Sequence, residues 1–154
     1  MSADPAATRA AFVAALVLAL DQISKALVNG SIAVGESRHL LPGVSLVHAE
    51  NSGVAFSLLT GSEAAVVAVT IVIVAAVLVF FATHRRRRLL WLATGLIVGG
   101  ALGNLLDRVR AGAVTDFIQL PHWPAFNFAD ASITLGVVAL FLILGRGGAA
   151  PRTA

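Results

Sequence analysis

Apolar positions along this chain gather into four long blocks, each too uniformly apolar to be the buried face of a soluble helix. Residues 64–82 are nineteen in a row without a charge, rich in Val and Ile, long enough as a helix to cross a hydrocarbon core. Residues 89–106 form a second uncharged run of eighteen. Within it, Gly95, Gly99, Gly100 and Gly103 are spaced so that neighbouring helices can approach closely. A third run, 131–145, continues an apolar stretch that begins near Phe126.

The first block is different. Residues 10–20 are only eleven apolar positions, a length that also suits the hydrophobic region of a signal peptide. No small-x-small cleavage pattern follows. Instead Asp21, Gln22, Ser24 and Lys25 continue the run at helical spacing to about Val28, which predicts a spanning helix with a polar last stretch. The expected spans are therefore 10–28, 64–82, 89–106 and 128–145, in a single domain covering 1–154.

Composition agrees with this class: 58% of residues are apolar and 12% charged, outside the range of ordinary soluble domains. The absence of cysteine removes disulfides, thiolate nucleophiles and thiolate metal sites. Net charge is +3, and its distribution sets the orientation. Arg85 to Arg88 join the second and third spans, and short cytoplasmic loops carry the excess of basic residues. With Arg9, Arg146 and Arg152 that side holds seven, against Lys25, Arg38, Arg108 and Arg110 on the other. Both termini are expected in the cytoplasm. Anionic headgroup binding is the other reading of the arginine block, and nucleic-acid binding is not expected.

That topology leaves 29–61 and 108–125 on the extracytoplasmic side. Pro42-Gly43 is a turn signal within the first loop, followed by the mixed stretch 44–50 and Asn51-Ser52-Gly53. Short strands there predict a small sheet lying on the membrane. The fold class is an all-α membrane protein with four transmembrane helices and a small extracytoplasmic sheet.

Unusual polar residues then collect at the outer helix ends. Asp21 and Lys25, four apart, share a face and can pair. Snorkelling of the lysine is the bland alternative. Asn104, Asp107 and Arg108 project from one side of the third helix; Asp107 is expected to neutralise its neighbour Arg108 in a positioning role, and Arg108 can clamp a carbonyl or a lipid phosphate. Asn127 and Asp130 fit a helix N-cap with an acid three residues on.

Capping does not explain Asp116, in Val114-Thr115-Asp116-Phe117, on what reads as a short loop able to fold back toward Asp130. Asp130 is itself the only charge between Phe117 and Gly145, where an idle carboxylate is costly. Two carboxylates about 4 Å apart at an effective dielectric near 20 repel by roughly 4 kcal/mol, about three pKa units. One then holds a proton while the other activates water, the chemistry of aspartic proteases. A Ser/Lys dyad of Lys25 with Ser24, Ser52 or Ser57 is less well supported, because Asp21 keeps the lysine charged. The four histidines show no metal-binding spacing, and no metal or cofactor is expected. His84, beside the arginines, is expected to face headgroups.

Five motifs in order, Asp21-Gln22-Ile23-Ser24-Lys25, Asn51-Ser52-Gly53-Val54-Ala55-Phe56-Ser57, Gly99 through Arg108, Val114-Thr115-Asp116-Phe117 and Phe126-Asn127-Phe128-Ala129-Asp130, resemble the lipoprotein signal peptidases, or type II signal peptidases. The resemblance spans nearly the whole chain. It implies a multi-pass aspartyl endopeptidase of the bacterial cytoplasmic (inner) membrane with an extracytoplasmic β-cradle. Such an enzyme removes the signal peptide from diacylglyceryl-modified prolipoproteins just before the lipidated cysteine, and is blocked by globomycin-type inhibitors. Carried over by motif, Asp116 and Asp130 are the catalytic pair, while Asp21, Lys25, Asn51, Gly53, Asn104, Asp107, Arg108 and Asn127 line or shape the site. The implied partners are the lipid-modified signal peptide and membrane lipids. Two departures are visible: the segment between the acids looks short, and Thr115 stands where an aliphatic residue is common.

Alternatives remain open on the residues alone. Asp107 rather than Asp116 could partner Asp130, although an adjacent arginine argues against it. A proton-coupled transporter would use acids at helix ends, but the second and third spans lack a second acidic leg. A purely structural subunit would have no need of the outward cluster of Asp, Asn, Lys and Arg.

Overall fold

The computed structural model describes residues 4–52 and 63–146. In chain order these form α1 (Pro5–Ser31), β1 (Ser37–Leu41), β2 (Val44–Asn51), α2 (Glu63–Thr83), α3 (Leu90–Ala111), β3 (Val114–Gln119) and α4 (Phe128–Arg146). All four helices are long and apolar enough to cross a membrane. Gly53 and Ser57 lie outside the described residues.

α1 begins where a cap is available: Asp4 Oδ1 accepts the Ala6 N–H at 3.0 Å and Pro5 occupies the first turn. The helix overruns the expected 10–28 at both ends, because hydropathy marks only the apolar middle of a helix whose ends are set by hydrogen bonding. α3 likewise runs past 106 to Ala111 and stops at Gly112, whose φ of 74° directs its N–H to Arg108 O.

α3 is the centre of the bundle, and its glycines are the reason. At Gly95 a methyl group would strike Val13 and Ala10 O of α1; at Gly99 it would strike Ala14 O and Val17. Gly103, one further turn along, lies against Asp21, while Gly100 faces Ala129 O of α4. Small residues four apart let backbones meet in a medium that supplies no hydrophobic drive between helices. α4 returns the contact through Gly136, which receives Ile97. α2 is more peripheral; Phe81 joins Ala10 and Leu90 in a small cluster, while much of its surface, Val72 and Val79 included, is exposed to the surroundings.

At one end lies a three-stranded antiparallel sheet in the order β1-β2-β3. Leu41 pairs with Val44 across Pro42-Gly43, and Gly43 has φ 80°, the turn read from the sequence. β3 was not expected: 114–117 reads as a loop, yet Val114–Gln119 is a strand. Four of its six residues, Val114, Thr115, Phe117 and Ile118, are of types that favour strands, a signal that the loop reading missed, and antiparallel pairing with β2 holds the segment extended. Between Leu46↔Ile118 and Ala49↔Asp116 the register shifts, so Val47 and His48 both oppose Phe117, a β-bulge of the kind that bends strands beside functional sites. His48 Nδ1–H donates to Ile32 O at 2.7 Å, pinning the bulge to the end of α1.

The opposite end carries the N-terminal cap and the arginine block, joined where Arg85 Nη1 meets Asp4 Oδ2 at 3.1 Å.

Candidate active site

Five elements supply the polar cluster at the sheet end. Asp21, Gln22 and Lys25 come from α1, Asn104, Asp107 and Arg108 from α3, Asn51 from β2, Asp116 from β3, and Asn127 and Asp130 from the start of α4.

One half of the network surrounds Lys25, which is 3% exposed. Its ammonium group hydrogen-bonds Asp21 Oδ2 at 2.8 Å and Asn104 Oδ1 at 2.9 Å, and forms an ion pair with Asp107 Oδ2 at 2.6 Å, an oxygen that is buried without a hydrogen-bond donor of its own. The expected Asp21–Lys25 pair is present. Asp107, however, does not neutralise Arg108; it pairs with Lys25 and accepts from Gln22 Nε2 at 2.9 Å. Arg108 instead donates through Nη1 to Asn104 O at 3.2 Å. Sequence adjacency misled because consecutive residues on a helix point about 100° apart. Asp21 is fully buried, and its second oxygen accepts the Ala129 N–H at 3.0 Å, satisfying an otherwise free donor in the first turn of α4.

The other half contains the two remaining acids. Asp116 Oδ1 accepts from Asn127 Nδ2 at 2.7 Å and Oδ2 from Asn51 Nδ2 at 3.0 Å. Asn51 reaches it because Asp116 pairs with Ala49 and residue 51 is the next position on that face of β2. Asp130 Oδ1 accepts from Asn104 Nδ2 at 2.8 Å and Oδ2 from the Asn127 N–H at 3.1 Å, while Asp130 N–H donates to Asn127 Oδ1 at 2.9 Å. This is a reciprocal capping box. The capping explanation for Asn127 and Asp130 is therefore correct and also incomplete, since the same asparagine holds Asp116.

Two asparagines join the halves. Asn104 Oδ1 faces two donors, Lys25 Nζ and Asn127 Nδ2 at 2.9 and 3.1 Å, which fixes its amide so that Nδ2 points to Asp130. Asp116 is 3% exposed. Burial and, less strongly, the charge of Asp130 raise its pKa to about 6 against the opposing pull of the Asn51 and Asn127 amides and Lys25. Each oxygen of both carboxylates has one protein donor, which leaves lone pairs for a water or a polarised carbonyl.

Of the ten residues assigned by motif to catalysis or to the site, the nine described ones fall within this cluster, and Gly53 lies outside the described residues. Ser24 does not serve as a nucleophile; its hydroxyl donates to Asp21 O at 2.8 Å. Ser52 is exposed. His84 is exposed and stacks on Phe80 with ring centroids 4.3 Å apart. Gln22 was overlooked as a site residue. Its signal was available: it lies one residue from Asp21 in a polar helix end otherwise made of groups with assigned partners.

The signal peptidase (SPase) II family model matches residues 13–145. A lipoprotein signal peptidase of Halothermothrix orenii is 39% identical over 133 residues, covering 86% of this chain and 92% of its own length. That of Syntrophomonas wolfei is 41% identical over 141 residues, covering 90% and 95%. Among solved structures, a bacterial membrane enzyme determined by the in meso method superposes with a TM-score of 0.82 at 32% identity, covering 88% of this chain and 91% of that one. A second gives a TM-score of 0.85 at 29% identity over 94% and 92%. With the family pattern running from α1 to the end of α4 and the fold matching across the same length, this multi-pass membrane protein belongs to the signal peptidase II family, the lipoprotein signal peptidases, which remove signal peptides from prolipoproteins.

Proposed function

We propose that the chain is an aspartic endopeptidase whose catalytic pair is Asp116 and Asp130, acting on diacylglyceryl-modified prolipoproteins just before the lipidated cysteine. The observation that carries this reading is that a single residue, Asn127, hydrogen-bonds both carboxylates while Asp116 is buried with its pKa up at about 6. Burial that favours the protonated form of Asp116, next to a second carboxylate, suits the pairing of acid and base that peptide hydrolysis needs. Asp130 sits in the first turn of α4, held by the Asn104 amide and the Asn127 N–H.

In this mechanism Asp130 removes a proton from water as the water oxygen adds to the scissile carbonyl carbon. Asp116 gives its proton to the carbonyl oxygen, forming a tetrahedral diol. As the C–N bond breaks, Asp130 passes its proton to the departing amine and a diol hydroxyl returns its proton to Asp116, restoring the starting pair. Asp21, Lys25, Asn51, Asn104, Asp107, Arg108 and Asn127 shape the site, with Gly53 assigned to it by family motif. The reading places the protein in the bacterial inner membrane with both termini cytoplasmic and the acids near the extracytoplasmic face, supported by the arginine excess at the other end.

The test is cleavage of a lipid-modified prolipoprotein by membranes carrying the protein, with globomycin as inhibitor. Cleavage that globomycin stops supports the assignment; cleavage of an unlipidated precursor at equal rate overturns the substrate preference.

A further inference from the structure

The end of the bundle remote from the carboxylates carries features that proteolysis does not use. α1 and α3 flank an apolar groove of about 610 Å³ lined by Thr8, Arg9, Phe12, Val13 and Trp91. The Arg9 guanidinium lies over the Trp91 ring, 5.9 Å from its centroid, at a distance where the ring quadrupole attracts a cation. Phe12 is 69% exposed, so in a bilayer this groove opens directly to lipid.

Around it positive charge is left uncompensated. Asp4 is the only described carboxylate that pairs with an arginine at this end, and it takes Arg85. No described carboxylate pairs with Arg9, Arg86, Arg87 or Arg88. A second hollow at the turn between α2 and α3 is ringed by His84, Arg85, Arg86 and Arg87. The Asp4–Arg85 contact holds that turn against the start of α1, so basic rim and apolar groove lie at the same end of the bundle.

We propose that this end of the bundle is a binding site for an anionic phospholipid of the adjoining leaflet, with an acyl chain lying in the groove against Phe12, Val13 and Trp91 and the phosphate drawn to Arg9 and the arginine turn. The groove alone would accept any lipid tail. Charge complementarity selects the occupant: arginines with no acidic partner, beside an opening that only a molecule with an apolar tail can fill, match an anionic lipid and not a soluble anion. A basic block serving orientation alone needs neither a groove nor an arginine laid over an indole.

The chain has two tryptophans, so Trp123→Phe leaves Trp91 as the sole fluorescent reporter. The full chain, reconstituted in phosphatidylcholine vesicles, is titrated with phosphatidylglycerol or phosphatidylcholine bearing brominated acyl chains, which quench tryptophan on contact. The expected result is a preference of about fivefold or more for the brominated phosphatidylglycerol, the contribution of roughly one arginine near a headgroup. Arg9→Gln in the same background brings the two lipids to equal quenching while prolipoprotein cleavage continues. Thr8→Phe, which fills the groove and keeps every charge, is the second variant, and it too abolishes the preference. Equal quenching in the parent, or a preference that survives in either folded variant, overturns the site and leaves only bulk surface attraction.

Discussion

The side-chain amide of Asn127 donates to Asp116 across 2.7 Å, from a residue whose backbone N–H is bound by Asp130. A strand and a helix are thereby held together by one side chain, and the geometry of the proposed catalytic pair depends on it. Asn127→Ala removes the amide bond to Asp116 and the side-chain half of the cap. Hydrogen bonds to charged groups are worth about 1.5–3 kcal/mol, so kcat/KM for a lipidated precursor is expected to fall roughly 10- to 100-fold. Unchanged kcat/KM in a properly inserted Asn127→Ala protein contradicts the bridging role.

The three acids of the site that lie outside α1, Asp107, Asp116 and Asp130, are expected to separate by function. Asp116→Asn and Asp130→Asn are expected to abolish cleavage while the protein still inserts and binds globomycin-type inhibitors. Asp107→Asn, which weakens an ion pair to Lys25 and keeps a side chain for Gln22 to meet, is expected to retain measurable turnover. Normal turnover by either of the first two sinks the pair assignment.

Lys25 is expected to be structural first. It is buried between two acids, and deleting one member of such a pair leaves uncompensated charge at a cost of about 3–5 kcal/mol. Lys25→Met should lower the thermal unfolding midpoint in detergent well before any effect on catalysis can be separated. The compensating triple change Lys25→Met with Asp21→Asn and Asp107→Asn should recover part of the loss.

Gly103 faces Asp21 without room for a methyl group. The carboxylate cannot step aside, because Lys25, Gln22 and Ala129 N–H all hold it. Gly103→Ala is expected to destabilise by about 1–3 kcal/mol and to reduce activity. Gly30→Ala, at a position with nothing within 4 Å of an added methyl, is the control and should be neutral or slightly stabilising. The readout is the melting temperature of the purified proteins side by side.

The raised pKa of Asp116 sets two pH dependences. Its folded value of about 6 exceeds the ordinary 3.8 of an aspartate, so the folded state binds its proton more tightly than the unfolded one. Its contribution to stability is full below about 4 and is lost as pH rises through about 6. Melting temperature should fall over that window in the parent and not in Asp116→Asn. For catalysis, kcat/KM should decline on the alkaline side as Asp116 loses its proton. Asn51 stabilises the charged form through its 3.0 Å bond, so Asn51→Ala should move that alkaline limb to higher pH. A shift in the opposite direction refutes the role given to Asn51.

Much of this protein was legible in one dimension, for reasons that are local. A spanning helix declares itself because every side chain meets apolar surroundings, and the four runs became four helices. The Pro42-Gly43 turn follows from the dihedrals those two residues prefer. The glycines of α3 announced close packing because a missing side chain in an apolar helix has few other uses. The reciprocal cap of Asn127 and Asp130 depends only on residues three apart.

Partners distant in sequence were decided by the fold. Asp107 turned from its neighbour Arg108 to Lys25, because the crossing of α1 and α3 brings that ammonium within 2.6 Å. Gln22 gained its place because α3 offers Gly103 O and Asp107 to the same amide. The segment carrying Asp116 became a strand through its ladder with β2, and a bulge at Val47 and His48 set which residues oppose it. Residue types and helical spacing determined what chemistry was available and at which helix ends. Only the packing of α1, α3, α4 and the sheet decided which carboxylate is neutralised, which is buried near a second charge, and which asparagine joins them, because hydrogen bonds and desolvation act over a few ångströms between residues up to 108 positions apart.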